Sequence, residues 1–141
     1  MEKRLVPKEI EDYIMKMNKN TPYHRLLEMN ITELNKGFCK AKLLVEEKHV
    51  NPMEITHGGV TFSLLDTVSG SAARTEGYEV ATAEMNISYF NPSYKGDELI
   101  AEGHVIKIGK RLIVVDGKLY HGDKLLSVSR QSLINLGKLK T

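Results

Sequence analysis

Between Gly58 and Ala73 the only charged side chain is Asp66, while Val60, Leu64, Leu65, Val68, Ala72 and Ala73 recur at helical spacing. A carboxylate in the middle of an otherwise apolar helix is costly to bury unpaired, so it must face a wet cleft or hold a dedicated hydrogen-bond partner. One reading makes Asp66 a base or nucleophile; the other makes it a buried cap for a loop. His57-Gly58-Gly59 opens the same helix. Two glycines let a substrate approach the backbone, and the unpaired N–H groups of a first helical turn can receive a developing oxyanion. Oxyanion donor and carboxylate together are the two parts that acyl transfer requires.

The spacing of these two parts adds a constraint. Gly58 and Asp66 are eight positions apart, so on one helix about 12 Å of rise and about 80° of rotation separate them. They cannot both touch one reacting carbonyl. If both act on one substrate, Asp66 must come from a second copy of the helix running antiparallel, which a two-fold axis supplies. A homodimer is therefore expected.

The elements that must position these residues are legible from periodicity. Pro7 opens a short amphipathic helix on Ile10, Tyr13, Ile14 and Met17, with acidic residues early and Lys16 and Lys19 late. Asn20-Thr21-Pro22 breaks it, and a second short turn runs from His24 to Leu27. Two strands, 29–34 and 38–45, flank the hairpin signal Asn35-Lys36-Gly37. The helix of Asp66 is apolar on nearly every side, which predicts that other structure wraps it. From Val80 the period drops to two: Ala81, Ala83, Met85, Ile87 and Tyr89 share one face, and Thr82, Glu84, Asn86 and Ser88 the other. Runs 98–108, 111–121 and 124–135 follow, joined by Gly109-Lys110 and Gly122-Asp123. These four strands are expected to form an antiparallel meander. The fold class is α+β, one sheet curled around one helix, with an N-terminal helix over 1–21, a single domain over 22–136 and a frayed polar tail over 137–141.

Composition excludes several functions. The chain has 141 residues, 41% hydrophobic and 27% charged, with 20 basic against 18 acidic side chains and a net charge of +2. The basic residues are spread along the chain, so no nucleic-acid partner is expected. Cys39 is the only cysteine, and His24, His49, His104 and His121 show no metal-ligand spacing, so neither a disulfide nor a metal site is proposed. The first residues lack the apolar stretch of a secretory signal, and no run reaches the ~20 apolar residues of a membrane helix. A cytoplasmic protein is expected, without membrane attachment.

The string HGGVTFSLLD at 57–66, followed by NISYFNPSYKGDEL at 86–99, resembles the hotdog-fold acyl-CoA thioesterases of the phenylacetyl-CoA thioesterase (PaaI-like) family, over roughly residues 22–136. The resemblance implies a sheet wrapped around a long central helix, pairing into dimers and tetramers, and hydrolysis of an acyl-CoA whose CoA is part of the substrate, with no separate cofactor. Carried over by position, Gly58 would donate its N–H to the thioester oxygen, and the partner subunit's Asp66 would activate water or attack directly. His57 would orient that region, Asn51 would contact the thioester or the water, and Thr82 would lie beside the carboxylate. Lys107, Lys110 and Arg111, around Gly109, are candidates for the CoA phosphates. A hotdog hydratase or dehydratase usually places a His in the helix region, which here carries Asp66 instead. A non-catalytic acyl-CoA-binding module would use the same donors.

Overall fold

Residues 4–141 are described by a computed structural model. Helix α1 (Lys8–Asn20) starts where Pro7 fixes the backbone, its carbonyl accepting the Ile10 and Glu11 N–H groups at 3.0 Å each. Thr21 ends α1 in an extended conformation, and Pro22 is then well placed to open α2 (Pro22–Leu27). Asn18 ties this helical pair to the sheet: its amide donates to the Met29 carbonyl at 2.9 Å and its oxygen accepts the Ile31 N–H at 3.0 Å. Ile14, on the same face of α1, is buried in the core with Ile31 and Leu64. Helix α1 thus buries its apolar stripe in the core of the domain it precedes.

The six strands are β1 (Asn30–Asn35), β2 (Phe38–Leu44), β3 (Tyr78–Tyr89), β4 (Glu98–Ile108), β5 (Leu112–His121) and β6 (Lys124–Lys138), in the antiparallel order β1-β2-β4-β5-β6-β3. The three hairpins expected from Lys36-Gly37, Gly109-Lys110 and Gly122-Asp123 all form. The four-strand meander does not. Only β4, β5 and β6 follow one another, while β3 pairs with β6 at the far edge of the sheet. The link from β3 to β4 contains Pro92 and is too long for a tight turn. It crosses the end of the sheet, where Ser93 accepts the Thr56 N–H at 2.8 Å and Tyr94 bridges Ile55.

Helix α3 (Gly58–Thr75) lies in the hollow of this sheet, with Leu64, Leu65, Val68, Ala72 and Ala73 all at 0% exposure. Each large aliphatic side chain so buried contributes about 1.5–3 kcal/mol of transfer free energy. The helix and β4 touch so closely that a Cβ on Gly103 would stand 2.7 Å from the Val68 carbonyl oxygen, so only glycine fits there. The C-terminus also departs from expectation. Strand β6 continues to Lys138, which pairs with Tyr78, and Leu139 is buried with its N–H on the Gly77 carbonyl at 2.8 Å. One apolar residue inside a polar tail is enough to carry the sheet to its end.

Candidate active site

Asp66 sits halfway along α3, half-buried, and opens on a cleft of about 270 Å³ that Thr82, Arg74, His24 and Ile14 also line. It has a wet face and dedicated partners together. The Thr82 hydroxyl donates to Asp66 Oδ1 at 2.8 Å, and the Gln131 amide donates both to the same Oδ1 and, at 2.8 Å, to Thr82 Oγ1. Oδ1 thereby receives two donors. Oδ2 is left for chemistry, because a carboxylate with one oxygen held can present only the other.

Thr82 reaches Asp66 because of a β-bulge. Thr82 lies opposite Leu133 and Glu84 opposite Ser132, so Ala83 is the extra residue on β3. An extra residue inverts the alternation: Val80 and Thr82 face α3 before the bulge, whereas Met85, Ile87 and Tyr89 face it afterwards. A strict period of two puts Thr82 on the side away from Met85, Ile87 and Tyr89, and the bulge brings it to theirs.

The N-terminal half of the site lies at the start of the same helix. His57 caps α3, its Nδ1 accepting the Gly59 N–H at 2.8 Å, while its own N–H is held by the His49 carbonyl at 2.8 Å. The Val60 N–H goes to the His57 carbonyl at 2.9 Å. Of the three first-turn donors, the Gly58 N–H alone has no acceptor among the described residues. The Tyr89 hydroxyl donates to the Gly58 carbonyl at 2.7 Å and its ring packs against Gly58. Burial pushes the Tyr89 phenol above the ordinary tyrosine range, so it acts there as a neutral donor.

Gly58 opens on a separate cleft of about 600 Å³, shared with Asn51, Tyr89, Phe90 and Leu119. The Asn51 oxygen accepts the Met53 and Ile55 N–H groups at 2.9 and 3.3 Å, shaping the loop before α3 and leaving its amide hydrogens for a ligand. Of the residues read from the sequence, Asn51 and Gly58 share one cleft, with His57 holding the turn beside them, and Asp66 and Thr82 share the other. One chain does not bring the two halves together. Nor does it bring Lys107, Lys110 and Arg111 to either cleft: all three are exposed around the β4–β5 turn, where Lys110 lies beside Tyr78 and Gly137, at the end of the sheet where α3 finishes.

Gln131 and Tyr89 were not anticipated. Gln131 is at 0% exposure on β6, and counting back by two from the core residue Leu133 would have placed it inward, a polar residue where an apolar one is usual. For Tyr89 the string held no such signal, since its partner Gly58 lies 31 positions away.

A model of the thioesterase superfamily matches residues 53–128, which span the Gly58 turn, all of α3 and the strands β3 to β5. The chain belongs to the thioesterase superfamily, and its sheet wrapped on α3 is the hotdog fold. Human acyl-coenzyme A thioesterase 13 is 30% identical over 106 residues, 73% of this chain and 76% of that one. A relative from Archaeoglobus fulgidus is 31% identical over 102 residues, 72% of this chain and 64% of its own length. Among solved structures, the Escherichia coli PaaI protein superposes with a TM-score of 0.90 over 97% of this chain and 100% of that one; at 24% identity it speaks for the fold. Mouse thioesterase superfamily member 2 superposes with a TM-score of 0.81 at 26% identity over 93% and 99% of the two chains. The expected resemblance to PaaI-like acyl-CoA thioesterases is borne out.

Proposed function

We propose that this protein hydrolyses the thioester of an acyl-CoA to the free acid and CoA, at a site shared by two copies of the chain. The observation that carries the reading is the state of Asp66: Oδ1 clamped by Thr82 and Gln131, the carboxylate open to a cleft, on a helix whose first N–H group is unspent. The Gly58 N–H of one subunit receives the negative charge that develops on the thioester oxygen, with Asn51 beside it. The partner subunit's Asp66 takes a proton from water as the water oxygen bonds to the carbonyl carbon, or itself attacks to give an acyl anhydride that water then opens. In either route the C–S bond breaks and the CoA thiolate leaves to be protonated. After a single turnover in ¹⁸O-water, label in Asp66 marks the anhydride route with water opening the anhydride at the Asp66 carbonyl, since a general base takes up no oxygen from water. A thiol reagent should report free CoA released in step with free acid. Acyl-CoA bound without release would sink the reading in favour of a binding module.

Two further expectations follow from the shared site. Light scattering should give a mass that is an even multiple of 15.9 kDa, and a fully active monomer would contradict it. The second concerns Lys107, Lys110 and Arg111, which reach neither cleft of their own chain and could serve the phosphates of CoA only at a partner's site. Reversing the charge of Lys110 and Arg111 should then raise KM about tenfold at low salt and leave kcat within about twofold, since only uniform binding is lost. An unmoved KM would take both residues out of the site. No helix among the described residues is long and apolar enough to cross a membrane, and the cytoplasm is the compartment that suits a CoA ester as substrate.

A further inference from the structure

The cleft on which Asp66 opens has a polar far end that hydrolysis does not require. Asp66, Gly70 and Arg74 follow at steps of four along α3 and line this one cleft. The Arg74 guanidinium folds back along the helix: its Nη1 stands 3.1 Å from where a Cβ on Gly70 would be, so close that an added methyl would push it by a few tenths of an ångström. Nε donates to Glu79 Oε1 at 2.8 Å and Nη2 to the Val80 carbonyl at 3.4 Å, while Nη1 has no acceptor among the described residues. Glu79 remains ionised: burial works against its charge, but the Val80 N–H and Arg74 hold its carboxyl below the usual range. The pair is therefore close to neutral overall. His24, from α2, lines the same cleft, and burial followed by the nearby Arg74 charge lowers its imidazole below the ordinary range, so it is neutral too.

Such an end offers a directed N–H without an uncompensated positive charge. A carboxylate is a poor fit, because Glu79 already answers Arg74 and Asp66 stands at the other end of the cleft. A ketone or hydroxyl oxygen is a good one. Asp66 and Gly70 are one step of four apart, about 6 Å along the axis, so an oxygen about four bonds from the thioester carbonyl would reach Arg74 Nη1 when that carbonyl is held at Asp66. We propose that this cleft receives the acyl group, and that Arg74, placed by Gly70, selects short acyl chains bearing a neutral oxygen acceptor near their far end. The proposal rests on the thioesterase reading and goes beyond it by naming the class of acyl group.

The test compares three CoA esters, pentanoyl, 4-oxopentanoyl and glutaryl, on the intact wild-type protein and on the Arg74→Met and Gly70→Ala variants. The expected kcat/KM for 4-oxopentanoyl-CoA exceeds that for pentanoyl-CoA by about tenfold, with glutaryl-CoA below both, since a site built to hydrogen-bond an oxygen discriminates against the analogue that lacks it. Arg74→Met should bring the oxo-to-alkyl ratio to about one. Gly70→Ala, a change that favours the helix and so keeps the fold, should lower the ratio less than Arg74→Met does, by displacing Nη1 a few tenths of an ångström. Equal rates for the two neutral esters in the wild type, a ratio that survives both substitutions, or a preference for glutaryl-CoA would each overturn the assignment while leaving thioester hydrolysis intact. If wild type and Asp66→Asn were equally slow on all three esters, the thioesterase reading itself would fall, and this inference with it.

Discussion

Asp66→Asn protein should fold and assemble like the wild type and hydrolyse acyl-CoA at least about 10²- to 10⁴-fold more slowly, the range spanned by loss of a general base, with loss of a nucleophile costing no less. Asparagine keeps the volume of the side chain, and its amide oxygen can still accept from Thr82 and Gln131 as Oδ1 does now. What disappears is the carboxylate oxygen that faces the cleft. A purely architectural Asp66 predicts the reverse pattern, a lowered melting temperature with kcat per folded molecule intact. Mixing tests the geometry as well. Chains carrying Asp66→Asn, combined with chains disabled at Gly58, should regain part of the activity, because each mixed dimer holds one site with two sound halves. Full activity in a folded Asp66→Asn protein would end the mechanism. Activity lost in both parents and not regained in any mixture would end the shared site.

Gln131→Met is expected to lower kcat by about 10- to 100-fold with little change in KM, since misplacing a catalytic group by a fraction of its reach costs on that order. Gln131 is fully buried, and its amide orientation is dictated by Asp66: a carboxylate only accepts, so the NH₂ must face it. The consequence is that Gln131 Oε1 is buried without a partner, which ordinarily costs about 1–3 kcal/mol. An apolar side chain of similar length would remove that orphan, so the variant should melt no lower than the wild type. A merely structural Gln131 would instead lose stability and keep kcat. The KM-against-kcat split, measured beside thermal unfolding, distinguishes the two, and unchanged kcat in the variant would show that Thr82 alone suffices to hold Asp66.

What the amino-acid sequence determined by itself was local. A lone charge inside an apolar helical run, two glycines before a helix, and Gly-Lys or Gly-Asp pairs between alternating runs act over a few residues, where backbone geometry and solvation leave few options, and α3, the three hairpins and both ends of the candidate site follow from them. The eight-residue spacing of Gly58 and Asp66 even shows that one chain cannot bring both to one carbonyl, because helix geometry is the same in any context. The tertiary structure decided the rest. Strand β3 lies beside β6 rather than β4, and the bulge at Ala83 carries Thr82 to the face of α3. Gln131 meets Asp66 across 65 positions, and Leu139 finds a place beside Gly77. Each of these depends on which distant backbone supplies a hydrogen bond and in what register. A strand's alternation of faces carries no record of its partner, and one unpaired residue inverts that alternation for every residue after it.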